Sequence, residues 1–472
     1  MVIEHLKVNA DQWLSSGIFC SFSNKNGKGM AFLIFLFMAF VTFTASAQGT
    51  DTIVIEHVNV IPMTAETVLK DQRVLIAGGK IIKIEEASQN NIHTTGLSIP
   101  AAGKYLIPGL SEMHFHFRSN DIASDIKLLL ANGITIVRNM AEFPGQHHIE
   151  IRQKTQSGGL PHLNYFTTGP YLTSKDLGTI EKVVEVVKMH IEEGYDFLKI
   201  AGNLPMEIYL KLLDECEKDH LPVIGHAQRD QPVEYSLRMS SIEHIEEFLY
   251  LSDSAQHPSI FRQPDARIKQ LVQQIKESGI YIGTTLAVFQ FINNCLNDTA
   301  FRELQQHPLV KYLAKKEREN FLSEKNDYRK MKNRVFDGVK APELFNDYFI
   351  WMKKFARMLS DAGVPLLSGS DTYGMVIVGF SLHNEFSLLQ EAGISPYRIL
   401  LASTVTPARY LGRFASEGTI TVGKNANLVL LDKNPLDDIK NTTSIAGVFL
   451  RGQWFNRKKL DLMLSEVEQA FK

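Results

Sequence analysis

PGLSEMHFHF, residues 108–117, ends a short apolar run that begins at Tyr105, and it closes on two histidines two residues apart. Side chains alternate across a strand, so His114 and His116 fall on one face and can grip one ion. Downstream the same rhythm recurs. Short apolar runs appear at ITIVRNM (134–140), LNYFTTG (163–169), FLKIAG (197–202), PVIGHA (222–227), SIEHI (241–245), IYIGTTL (280–286) and VPLLSGSD (364–371). Amphipathic stretches such as EKVVEVVKMHIEEG and MEIYLKLLDECEKDH separate most of them. Eight strands with helices between them predict an α/β fold, a (β/α)8 TIM barrel over residues 105–417.

The flanks read differently. Residues 48–104 and 418–472 carry short alternating runs, including TIVIEHVNVI and ANLVLLD, with Gly78-Gly79 as a turn signal. They predict one small β-sandwich domain built from both chain ends, with a helix at the C-terminus. Residues 287–363 interrupt the barrel between its seventh and eighth strands. They are charged and predicted helical. An insertion there lies over the barrel mouth, either as a lid or as a solvated hairpin with no gating role.

Hydrophobic residues make up 44% of the 472 and charged residues 22%, an ordinary globular balance. Lys plus Arg is 50 against 52 Asp plus Glu, which gives no basic excess for nucleic acid. Three cysteines exclude a disulfide-dense scaffold. Residues 31–47, AFLIFLFMAFVTFTASA, follow Lys25 and Lys28 and end in Ala45-x-Ala47. This pattern predicts a signal peptide cleaved after Ala47, with 1–47 as leader. The apolar part is shorter than the ~20 residues of a spanning helix. The expected location is therefore periplasmic or secreted, with no stable membrane insertion after cleavage.

Further ligand-type residues fall at the predicted strand ends. Lys199 sits in the fourth strand, His226 ends the fifth, His244 lies near the end of the sixth and Asp371 follows the eighth. Each has a plain reading alone: a core histidine, a turn aspartate, a solvated lysine. The ends of a closed barrel converge on one rim, and there the set acquires a joint meaning. Four imidazoles, a carboxylate and a carbamate on Lys199 would suit two divalent ions such as zinc.

This order resembles the amidohydrolase superfamily, in its binuclear branch with a carboxylated lysine. PGLSEMHFHF is similar to its first-strand metal motif and LLSGSD to its eighth-strand aspartate motif. ASTVTPARYLG and GTITVGKNANLVLLDKNPL resemble its C-terminal passage. The nearest branch is imidazolonepropionase-like and prolidase-like. The resemblance implies that His114, His116 and Asp371 hold one ion and that His226 and His244 hold the other. It implies N6-carboxylysine at Lys199 and a hydroxide as bridges. Asp371 would take the hydroxide's proton and pass it to the leaving amine.

Deaminases of the superfamily carry a glutamate three residues after the fifth-strand histidine. Arg229 stands there instead, which argues against deamination. Arg229 could hold a substrate carboxylate, helped by Tyr171 and Tyr250, or be a surface arginine with local salt bridges. His383 is read as fixing a loop or supporting the ligands from behind. His147, His148, His162 and His190 match no ligand position.

The expected activity is hydrolysis of an amide-type C–N bond in a dipeptide, N-acyl amino acid or cyclic amide. The alternatives are a lactonase or phosphotriesterase on the same site, a mononuclear hydrolase, or an inactive barrel scaffold. The expected partner is a small-molecule substrate, with no nucleic acid. A homo-oligomer is compatible with the sequence.

Overall fold

The structure, a computed structural model, describes residues 52–89, 96–117, 121–251, 260–372 and 376–472. The expected leader and its cleavage point lie outside these residues. Asp51–Lys472 forms one compact unit that holds both the sheet of the flanking strands and the barrel segment. No helix among the described residues is long and apolar enough to cross a membrane.

The described chain enters through β1 (Ile53–Val60), β2 (Leu69–Ala77), β3 (Lys80–Glu86), β4 (Leu97–Pro100) and β5 (Tyr105–Pro108). Next come β6 (Leu110–Phe115), β7 (Ile134–Asn139), β8 (Asn164–Thr167), β9 (Leu198–Ile200), β10 (Val223–Gly225), β11 (Ser241–Ile242) and β12 (Tyr281–Gly283). A hairpin of β13 (Val335–Phe336) and β14 (Val339–Lys340) precedes β15 (Leu366–Leu367). Strands β16 (Leu428–Leu431), β17 (Ile445–Leu450) and β18 (Gln453–Asn456) close the order.

Both chain ends build a single sheet, in the order β18-β17-β16-β5-β1-β2-β3, with β4 also on β1. Strand β16 runs antiparallel to β5, Leu428 opposite Pro108 and Leu431 opposite Tyr105. Strand β1 changes partner along its length: Ile53–Glu56 pair with β4, and Asn59–Val60 with β5. Between these halves the register shifts and His57 takes a positive φ of 58°. The strands expected to form a sandwich are thus hydrogen-bonded into one sheet, with β4 and β5 pairing along the two halves of β1. Its own apolar core includes Ile55, Val74, Ile76, Leu106, Leu428 and Phe449. One boundary moves: Tyr105–Pro108 belongs to this sheet, and the barrel run starts at Leu110.

Strands β6-β7-β8 form one parallel arc and β9-β10-β11-β12-β15 another. Hydrogen bonds join the arcs at both seams. Asp196 N donates to Thr167 O at 3.0 Å and Ala201 N to Leu172 O at 2.8 Å. At the other seam Met113 N donates to Ser368 O at 3.0 Å and Asp371 N to His114 O at 2.9 Å. Every residue of β6 and β7 is buried, the pattern of strands covered on both faces.

The segment between β12 and β15 is mostly helical, with the β13–β14 hairpin within it. It holds helices Leu286–Leu296, Asp298–Gln305, Lys315–Phe321 and Asp327–Lys330 before the long helix Ala341–Ala362. The Asn297 side chain starts the second by accepting from Thr299 N and Ala300 N. Phe301, Tyr312, Leu313 and Met331 are buried there, and the Tyr312 ring stacks on Phe380 at 5.2 Å. The terminal helix Arg457–Ala470 lies against the barrel helix Ile122–Ala131, with Lys127 Nζ 2.8 Å from Glu466.

Candidate metal centre

His114 is the penultimate residue of β6 and His116 follows directly after the strand, and both side chains are buried. Asp371 comes up beside them from the end of β15. His114, His116 and Asp371 form the group whose ligand-type atoms lie within 4.8 Å of one another. His116 Nε2 is 3.4 Å from Asp371 Oδ1, and His114 Nε2 is 3.9 Å from it. This approach depends on Gly369: a Cβ there would fall 2.5 Å from His114 Cβ and 2.6 Å from its backbone nitrogen.

Lys199 lies mid-strand in β9 with its side chain only 1% exposed. Its Nζ is 3.3 Å from His114 Nε2. Burial brings its ammonium pKa down to about 8. His244 follows β11, its ring 4.4 Å from that of His114 and 5.0 Å from that of His226. His226, His244 and Lys199 therefore stand beside the three-residue group rather than within it. Burial first, and neighbouring positive groups second, hold His114, His116 and His244 well below the usual histidine range. Neutral imidazoles offer a lone pair, as a metal ligand must. His244 and Asp371 both adopt positive φ, 75° and 52°, as does Thr285 at 46°. For non-glycine residues this costs of order 1–3 kcal/mol each, and such strain clusters at functional sites.

Several polar partners were not anticipated from sequence. Glu243 Oε2 is 3.1 Å from His114 Nδ1, and Glu247 Oε1 is 2.9 Å from His226 Nδ1. Thr285 Oγ1 is 2.8 Å from His244 Nδ1. Arg138, wholly buried in β7, donates to Glu243 Oε1 at 2.7 Å. Glu112 accepts from Ser370 N and Ser370 Oγ, both at 2.8 Å, which ties β6 to the β15 loop. The signal available was a charge inside an apolar run: Arg138 in ITIVRNM, and Glu243 and Glu247 on either side of His244.

Two expected substrate contacts are already engaged. Arg229 donates through Nε and NH2 to Glu247 at 3.0 and 2.7 Å, so its fork is closed rather than open to a substrate carboxylate. Tyr250 lies under that guanidinium at 4.3 Å and donates its hydroxyl to Glu246. Tyr171 differs: it is 43% exposed and stacks on Phe143 at 6.2 Å, and the Phe143 ring is 5.8 Å from that of His116. His383 serves the packing of elements instead of backing the ligands. Its Nδ1 meets Thr442 Oγ1 at 2.9 Å and its Nε2 meets Asn132 O at 3.0 Å. His148 and His190 are buried structural residues, held by Tyr165 and by Val186 O.

Residues 105–455 match the sequence model of the amidohydrolase family. Among solved structures, bottromycin amidohydrolase superposes with a TM-score of 0.69 at 19% identity, over 89% of this chain and 90% of that one. An Xaa-Pro dipeptidase with methionine bound in its active site gives 0.62 at 17%, over 86% and 100%. Molinate hydrolase gives 0.62 at 18%, over 88% and 96%. At these identities the likeness is one of fold. No curated protein sequence matches.

Proposed function

The chain belongs to the amidohydrolase family, and on that premise we propose an exported, metal-dependent (β/α)8-barrel hydrolase that cleaves an amide-type C–N bond in a small substrate. The observation that carries the reading is the gathering of His114, His116 and Asp371 within 4.8 Å. The donor set fits divalent metal: two buried neutral imidazoles and a carboxylate suit zinc. His114, His116 and Asp371 would hold a first ion, and His226 and His244 a second. Lys199, carboxylated at Nζ, would bridge them. Its burial and its 3.3 Å contact with His114 support that role, because burial lowers the ammonium pKa to about 8 and so raises the share of free amine that carbamate formation needs. Bound divalent ions supply a hydroxide near neutral pH and polarise the carbonyl under attack.

The chain's own groups complete the chemistry. Asp371 stands beside His116 and His114 and can take the proton of the attacking water and return it to the leaving amine. The strained backbone at Asp371 and His244 fixes where those side chains point. Tyr171 and Phe143 form an aromatic wall next to His116 that supports a flat or apolar group on the substrate. Arg229 is committed to Glu247, so the reading does not depend on a substrate carboxylate there. The candidates are dipeptides, N-acyl amino acids and cyclic amides.

The test is elemental analysis of the purified protein, then hydrolysis assays on those three classes. We expect about two zinc-like ions per chain and activity that a chelator removes and zinc restores. One ion per chain would point to a mononuclear enzyme and remove Lys199 from the centre. No ion, even after growth with added zinc and bicarbonate, would sink the proposal.

A further inference from the structure

Two of the histidines share an arrangement that the reaction does not itself require. His114 Nδ1 lies 3.1 Å from Glu243, whose other oxygen accepts from Arg138 NH2 at 2.7 Å and from Ser241 Oγ at 2.6 Å. His226 Nδ1 lies 2.9 Å from Glu247, which accepts a two-pronged bond from Arg229 at 2.7 and 3.0 Å. The side chains of Glu243 and Glu247 are 0% and 1% exposed. Each unit reads histidine, glutamate, arginine. One histidine comes from β6 and the other directly follows β10, yet both glutamates come from the short stretch that carries His244.

We propose that Glu243 and Glu247 each brace one half of the metal centre, with Arg138 and Arg229 holding the braces in place. The inference rests on the metal-centre reading above and goes beyond it. A carboxylate on the Nδ1–H of an imidazole fixes the tautomer, so that Nε2 carries the lone pair. It also fixes the ring's rotation and raises its basicity toward an ion. A buried carboxylate is costly unless a cation and hydrogen bonds compensate it, and each arginine supplies both. Room has been left for the arrangement: a Cβ on Gly283 of β12 would lie 2.5 Å from Glu243 Oε2. The bracing is selective, since the buried Nδ1 of His116 has no hydrogen-bond partner among the described residues. His244, between the two glutamates, is itself held by Thr285. Residues 243–247 thus supply one ligand and the orientation of two others. Arg229, expected to meet substrate, acts instead through Glu247 on His226.

The experiment is a zinc titration of the purified protein against a chromophoric chelator, with metal content and melting temperature measured alongside. Glu247→Gln should weaken one zinc ion by roughly 10–100-fold and leave the other unchanged. Glu243→Gln should weaken the other ion. In a His226→Ala background, Glu247→Gln should add no further loss, because nothing remains for it to orient. Glu247→Asp keeps the charge and should restore part of the affinity. If Glu247→Gln does not fold, Glu247→Asp and Arg229→Lys carry the test, with a smaller loss expected at the same ion. Wild-type zinc affinity in these variants would overturn the bracing, as would an equal loss with and without His226. A merely structural ion pair would lower the melting temperature and leave both zinc affinities unchanged. A wild-type protein that takes up no zinc would overturn the metal centre itself, and the braces with it.

Discussion

A lysine ammonium buried to 1% exposure beside an imidazole nitrogen is an expensive resting state, and carboxylation would convert it into a ligand. Lys199→Ala should therefore lower zinc content and hydrolysis together, which elemental analysis and one assay will show. Full metal content with full activity would remove the lysine from the centre. Gly369→Ala should cost about 1–3 kcal/mol and loosen the first ion, because the added methyl meets His114. Thermal melting and zinc content report the two effects separately. At this scale the sequence was legible where spacing alone carries meaning. His-x-His within one strand puts both rings on one face, and Asp371 ends an apolar run. Arg229 was not legible, because its partner Glu247 is 18 residues away and meets it only when β10 and β11 are side by side.

Elements were legible by their rhythm and less so by their edges. All eight predicted strands of the barrel run contain an observed parallel strand. The first was drawn too long. Tyr105–Pro108 and Leu110–Phe115 differ in their pairing partners, β16 and β1 for one, β7 for the other. The local signal was the Pro108-Gly109 step between them, a strand breaker inside an otherwise continuous run. His383 shows another limit: its position suggested support of the site, and its hydrogen bonds join helix Phe380–Glu391 to Thr442 and to the end of helix Ile122–Ala131. His383→Ala leaves Asn132 O and Thr442 Oγ1 without this partner. It should destabilise by about 1–3 kcal/mol in chemical denaturation and leave zinc content intact. Loss of zinc there would place the residue back in the centre.

For the whole molecule, stability should depend on pH through carboxyls buried in the barrel. Glu385 is wholly buried, accepts from Ala287 N, and burial pushes its pKa up to about 7. The folded protein then binds this proton more tightly than the unfolded chain. The contribution is complete below about pH 4.5 and is lost as pH rises through about 7. Glu385→Gln should flatten that part of the curve in urea titrations at pH 5 and pH 8, and an unchanged slope would refute it. That the two flanking segments meet was legible from their shared alternation, whereas their fusion into one sheet was not, since β1 changes partner across a register shift. That sheet has a consequence for biogenesis. Strand β5 is made long before its neighbour β16, with the whole barrel segment between them, so β5 keeps a bare edge while the chain emerges. Unpaired edges invite aggregation, and long-range pairing is slow. A newly made chain should depend on a holding chaperone until β16 arrives, and truncations before Leu428 should accumulate as insoluble protein.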